Sequence, residues 1–295
     1  VPRNYEFNFR KVKPMKSHYA MIGMAFVVEN YPLYYDATNE KGLSMAGLNF
    51  PGNADYKKEV EGIDNIAPFE FIPWILGQCA TIAEVKSLLD RINLINIDFS
   101  KELPLSPLHW IISDKEVSIT VESVKAGLKI YDNPIGILTN NPTFDIQMFN
   151  LNNYINITKE VPENRFSSKL DLDIYSRGMG AIGLPGDLSS SSRFVKAAFT
   201  KLNSISGTSE SESISQFFHI LGSVNQERGC VRLAKDTYEI TIYSSCCNTD
   251  KGIYYYKTYE NSQITGIDLY NENLDSQILI SYPLISGQHI KMQNR

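Results

Sequence analysis

PLHWIISDKEVSITVESVKAGLKIYDNPIGILT, residues 107–139, is the stretch that decides the fold. Within it His109 to Ser113, Ser118 to Ser123, Leu128 to Tyr131 and Ile135 to Thr139 read as short strands, with alternation of apolar and polar side chains clearest from Ser118 to Ser123. Asp114 to Val117, Lys125 to Gly127 and Asp132 to Pro134 separate them with turn-forming residues. A period of two puts successive side chains on opposite faces, so these segments predict an antiparallel meander with one face buried.

Upstream, YAMIGMAFVV at 19–28 predicts a buried strand, and Tyr31-Pro32 a turn after it. Tyr34 to Asp36 and Leu43 to Leu48 read as short strands joined across Asn39-Glu40-Lys41-Gly42, a hairpin signal. From Pro68 the period changes, and Phe71, Trp74, Ile75 and Gln78 recur at helical spacing. Thr81 and Glu84 form a capping box for a second helix with an apolar stripe of Val85, Leu88, Leu89 and Ile92.

Downstream, residues 143–155 predict a helix with Phe144, Met148 and Leu151 on one face. A polar loop follows from Lys159 to Lys169. Ser189 to Ser192 open a helix carrying Phe194, Val195, Ala198, Phe199 and Leu202. Another helix runs from about Ser213 to Asn225, and strands return at Tyr238 to Ser244, Ile253 to Thr258 and Ile264 to Leu269. Helix-rich segments between two antiparallel blocks predict an α+β fold of four layers, αββα. No Pro-rich or Ser-rich linker interrupts it, so residues 1–295 read as one domain.

Composition sets bounds on function. Lys and Arg number 28 against 33 Asp and Glu, a net charge of −5, which gives no global attraction for nucleic acid or anionic membrane. The small cluster of Arg10, Lys11, Lys13 and Lys16 is broken by Pro14 and reads as a solvated loop. No apolar run approaches the roughly 20 residues that span a bilayer, and Val1 to Tyr5 lack the pattern of a signal peptide. Cys79, Cys230, Cys246 and Cys247 have no metal-ligand spacing and read as reduced, buried thiols of a cytoplasmic protein. No metal or other cofactor is implied.

The candidate chemistry lies in turn-rich peptides. Asn49 in AGLNFPG offers amide donors at a strand end, for a developing oxyanion or merely for its own turn. Asn140 in TNNP, before Asn141-Pro142, has the same two readings. Gly183 to Gly186 resemble a phosphate loop only superficially, since no GK[ST] follows and the serines serve as helix caps. Arg193 stands in the first turns of that helix, where a cation opposes the dipole, which suggests an anionic or carbonyl partner. There is no GxSxG or HExxH, and His18, His109, His219 and His289 sit in no catalytic motif.

Seven peptides in order carry a resemblance: YPLYYDATNEKGLSMAGLNFP at 31–51, PLHW at 107–110, DNPIGILTNNPTFD at 132–145, GLPGDLSSSSRF at 183–194, QFFHIL at 216–221, YSSCC at 243–247 and KGIYYYKTYEN at 251–261. Together they resemble the bile salt hydrolases of the choloylglycine hydrolase family, which also includes penicillin V acylases. The resemblance implies the αββα fold of N-terminal-nucleophile hydrolases. It also implies hydrolysis of the amide joining glycine or taurine to a bile acid, by a cysteine at residue one that uses its own α-amine as base. It implies a homotetramer as well. Asn49 matches the oxyanion-hole amide of that family, Asn140 a second active-site Asn, and Arg193 the active-site Arg of the SRF motif. Phe99, Leu103 and Ser106 fall on a loop that would line the steroid pocket.

The sequence departs from that pattern at its start. Family members begin with the nucleophilic Cys, whereas Pro2-Arg3-Asn4-Tyr5 here matches a peptide further along. The resemblance therefore implies an N-terminally truncated chain that lacks its first strands and is inactive as given. A penicillin V acylase-like amidase and a non-catalytic bile-acid-binding protein are the alternatives.

Overall fold

The turn from Asn39 to Gly42 closes a hairpin because Gly42 adopts φ +86° and the Asn39 carboxamide binds its own turn. Its Oδ1 accepts from the backbone N–H groups of Lys41 and Leu43 at 3.0 and 3.1 Å. In the computed structural model, which describes residues 1–294, this hairpin joins β2 (Tyr31–Asn39) to β3 (Ser44–Asn49), with β1 (Met21–Val28) on the other side of β2. The next segment holds β4 (Asp64–Ile66), α1 (Phe71–Gln78), α2 (Ile82–Leu89) and β5 (Ile92–Leu94), β4 and β5 pairing in parallel. The meander follows as β6 (Leu108–Ser113), β7 (Ser118–Val124) and β8 (Gly127–Asp132), and it completes a six-stranded antiparallel sheet in the order β1-β2-β3-β6-β7-β8.

Helices α3 (Phe144–Asn150), α4 (Ser190–Asn203) and α5 (Glu210–Gly222) come next. A short ladder of β9 (Arg232–Ala234) and β10 (Thr237–Tyr238) precedes a three-stranded antiparallel sheet of β11 (Tyr243–Asn248), β12 (Ile253–Thr258) and β13 (Thr265–Asp268).

Alternation along the strands assigns the layers. Ala37, Met45, Trp110, Ile112, Ile119 and Val121 point from the large sheet into the main core, where they meet α1 and α2. Residues 71–77 are all buried, as a helix that is apolar all round must be. Asp36, next to Ala37, points the other way. Its carboxylate accepts from the hydroxyls of Tyr243 at 2.6 Å on β11 and Tyr254 at 2.7 Å on β12, which ties the two sheets together. On the far side of the small sheet, Tyr255 and Asn248 donate to Glu210 of α5. The layers are thus helix, sheet, sheet, helix.

Several sequence expectations need correction. Ile135 to Thr139 is not a strand: Asn133 accepts from the Gly136 N–H at 2.8 Å and donates to the Ile137 carbonyl at 2.9 Å, folding the segment locally. Its apolar residues are satisfied instead in a second cluster, where Ile135 and Phe144 meet Phe194 and Ala198 of α4. Ile92 belongs to β5 and not to the helix before it. Strand β1 is only partly buried, with Phe26 50% exposed at the sheet edge. Along α5 only Phe218 is buried, and His219 is exposed. Among the cysteines Cys230 is exposed, and none is paired among the described residues. No helix among the described residues is long and apolar enough to cross a membrane.

Candidate active site

One face of the large sheet is covered by the small sheet over β2 and by residues 133–147 and α4 over β6 and β7. Contacts from Asn133 to Thr120, from Phe144 to Glu122 and from His109 to Thr139 mark the second region. The expected residues Asn49, Asn140 and Arg193 meet there, at the end of β3.

Asn140 is the centre of the group. Its Nδ2 donates to the Asn49 carbonyl at 2.8 Å, and its Oδ1 accepts from Nη2 of Arg193 at 2.6 Å. A carbonyl cannot donate and a guanidinium cannot accept, so these two partners fix which way the Asn140 amide points. Arg193 also donates from Nε to the Leu188 carbonyl at 3.2 Å. Both partners of the cation are oxygens, the kind that its place in α4 suggested. Burial lowers the Arg193 guanidinium from its ordinary range and the charge of Glu239 opposes this, yet a guanidinium stays protonated at neutral pH.

Helix α4 holds Arg193 in position through its cap. Ser189 Oγ accepts from the Ser192 N–H at 3.4 Å, and the Asp187 carboxylate accepts from Ser189 N–H at 3.0 Å and Ser192 Oγ at 2.5 Å. The side chain of Asn49 is exposed and makes no hydrogen bond among the described residues. The group therefore presents free N–H donors from Asn49, one from Asn140 and several from Arg193, in a half-buried setting where they favour negative charge.

The other three expected residues lie elsewhere. Phe99 packs edge-on to Phe69 at 5.2 Å, and its carbonyl accepts from Arg10 Nη2 at 2.8 Å. Leu103 closes a small turn with Ser100. Ser106 offers its carbonyl to Tyr56 Oη at 3.1 Å, two residues before Leu108, the register partner of Asn49. A cavity of about 700 Å³ opens between the sheets, lined by Met21, Met24, Tyr34, Tyr243, Tyr254 and Ile267 among others, and none of the six expected residues lines it. Among the described residues no three His, Cys, Asp or Glu side chains converge as a metal site.

Three of the four thiols are unsuited to attack. Burial pushes Cys79 and Cys246 up to about 12 and Cys247 up to about 11, so each is a neutral thiol at neutral pH.

A model of the linear amide C–N hydrolases, choloylglycine hydrolase family, matches residues 1–282. The chain belongs to this family. Among choloylglycine hydrolase relatives, the bile salt hydrolase/transferase of Lactiplantibacillus plantarum is 62% identical over 286 residues, 97% of this chain and 88% of that protein. A crystal structure of a variant of the conjugated bile acid hydrolase from Clostridium perfringens superposes with a TM-score of 0.91 at 40% identity, covering 100% of this chain and 90% of that one. Penicillin V acylase from Agrobacterium tumefaciens shares the fold at TM-score 0.70 and 19% identity, over 94% of this chain and 78% of that one.

Sequence reasoning overlooked two buried residues that pack beside this group, His109 and Glu122, the former bonded to Thr139 next to Asn140. A signal was present. The Asp114 to Val117 turn sets Ser113 opposite Ser118 and Trp110 opposite Val121, and the same register carried one step further sets His109 opposite Glu122.

Proposed function

We propose that the group formed by Asn49, Asn140 and Arg193 serves hydrolysis of the amide bond that joins glycine or taurine to a bile acid. The supporting observation is the Asn140 amide, fixed between the Asn49 carbonyl and Arg193 beside the free Asn49 side chain, in a chain 62% identical to a protein named bile salt hydrolase/transferase. In this reaction an N-terminal cysteine attacks the amide carbonyl carbon while its own α-amine takes the thiol proton. Negative charge develops on the carbonyl oxygen and is met by amide donors of Asn49 and Asn140. Arg193 keeps the Asn140 oxygen turned away, so that its nitrogen faces the oxyanion. Collapse breaks the C–N bond, the α-ammonium protonates the departing amine, and water then cleaves the thioester to release the bile acid and restore the thiol. No cofactor enters these steps.

Three of the four cysteines, Cys79, Cys246 and Cys247, are held by burial as neutral thiols and are unsuited to the nucleophile's part in these steps. The test compares glycine release from glycocholate, taurine release from taurocholate and cleavage of penicillin V by the product of the complete gene, its N-terminal residue determined by mass spectrometry. Turnover of the bile salts by a product that begins with Cys is the expected result. A marked preference for penicillin V, or bile-acid binding without turnover, overturns the reading.

We further propose a homotetramer in the cytoplasm. Residues 70–76 are buried in the core and offer no surface for assembly. Support for assembly comes instead from Phe149, Ile155, Phe166 and Tyr175, which are 75, 77, 80 and 83% exposed. Light scattering that finds only monomers at micromolar concentration refutes the assembly.

A further inference from the structure

Behind Asn140 lies a buried acid–imidazole couple. His109 and Glu122 are both fully buried, 0% exposed. Nδ1 of His109 is 3.1 Å from Oε1 of Glu122, and Nε2 is 2.8 Å from the carbonyl oxygen of Thr139. Phe50 stacks on the imidazole at 4.1 Å with the planes 7° apart, so the ring cannot rotate without displacing it. Glu122 Oε1 also accepts from the Phe144 N–H at 3.0 Å, which anchors the carboxylate to the start of α3.

The partners determine where the protons are. A carbonyl oxygen only accepts, so Nε2 carries a proton and donates to Thr139. Oε1 of Glu122 faces the other ring nitrogen, and a carboxyl group behind an imidazole fixes its orientation.

The Thr139 carbonyl belongs to the peptide unit whose N–H is that of Asn140. That N–H donates to Ser190 Oγ at 2.8 Å. The unit is therefore held on one edge by His109 and on the other by the first residue of α4. It is the base from which the Asn140 side chain extends to Asn49 and Arg193.

We propose that Glu122 and His109 are positioning residues that hold the Thr139–Asn140 peptide plane and thereby aim the Asn140 amide. They touch no substrate, and the proposal rests on the role given to Asn140 above. Loss of a donor from an oxyanion site costs about 10²–10³ in kcat. Loss of its aim by one support is expected to cost about 10–10².

Two measurements test this. In the product of the complete gene, His109→Leu is expected to lower kcat for glycocholate about 10–10²-fold with KM changed less than about threefold. His109→Gln, which keeps an N–H near Nε2, is expected to recover most of that loss, and Glu122→Gln to fall between them. Combined with Asn140→Ala, His109→Leu is expected to add no further loss, because both act through one group. Independent multiplication of the two losses, or a leucine variant as active as the glutamine variant, overturns the proposal.

The second measurement needs no turnover, and so separates failure of this proposal from failure of the proposed function. In residues 1–295, NMR of the Asn140 side-chain amide is expected to show shifted resonances and faster hydrogen exchange in His109→Leu and near wild-type behaviour in His109→Gln. Glu122→Gln supplies the same reading if the leucine variant does not fold. Unchanged Asn140 resonances in the folded variants refute positioning even if glycocholate is hydrolysed.

Discussion

Phe194→Ala tests whether α4 is held in place by the second apolar cluster. Phe194 is fully buried, 0% exposed, against Ile135, Phe144 and Ala198, and its ring meets that of Phe144 edge-on at 6.1 Å. Truncation of a buried Phe to Ala costs about 3–5 kcal/mol, the transfer term plus the cavity left behind. The cluster is small, four buried side chains with five partly buried ones around them, so little material can collapse into the space and the cost should fall within that range. With a urea slope of about 3 kcal/mol per M, the unfolding midpoint is expected to fall by about 1–1.7 M.

Two probes separate local from global loss. Trp74 and Trp110 both lie in the main core, so their fluorescence follows that core, while amide exchange along 190–203 follows α4. Exchange in α4 is expected to accelerate at least as much as the fluorescence midpoint falls. Ile205→Ala, at a side chain 84% exposed, is the control and should change stability by less than about 0.5 kcal/mol. A loss below about 1 kcal/mol in Phe194→Ala, with α4 exchange unchanged, would falsify the account of how Arg193 reaches Asn140.

Arg193→Lys in the product of the complete gene is expected to lower glycocholate turnover by about 10–10²-fold, because one ammonium cannot reproduce the bonds to both Asn140 and Leu188; full activity would refute the role of the guanidinium. Iodoacetamide at neutral pH should label exposed Cys230 well before Cys79, whose thiol burial pushes up to about 12. Fast labelling of Cys79 by mass spectrometry would contradict its packing. The Asp187 carboxyl is held at about 2 by its bonds to Ser189 and Ser192. A folded pKa depressed in this way stabilises the cap above the usual carboxylate range, and the contribution is lost as pH falls through about 2. An NMR titration of Asp187 with an ordinary carboxylate midpoint would refute that contact, and Asp187→Asn should remove this part of the acid response.

Local periodicity and turn chemistry made much of the architecture legible before any coordinates. The meander from 108 to 132, the hairpin at Gly42 and the Thr81–Glu84 capping box depend on residues within a few positions of each other, and each forms as the sequence predicts. The peptides that carried the family resemblance also pointed to Asn49, Asn140 and Arg193, one residue at a time. Only tertiary packing brings these together, across 91 and 53 positions of chain, because α4 must first bury Phe194 against the segment after β8. The same packing overrode the strand signal of 135–139: its apolar residues could be buried against a helix as well as in a sheet, and the Asn133 side chain supplied the hydrogen bonds a strand neighbour would have given. His109 and Glu122 mark the boundary most clearly. Hairpin register alone sets them opposite each other, but that the imidazole's other nitrogen meets the Thr139 carbonyl follows from a loop folding back over the sheet. Alternation records which side chains leave water; it does not record which partner they meet.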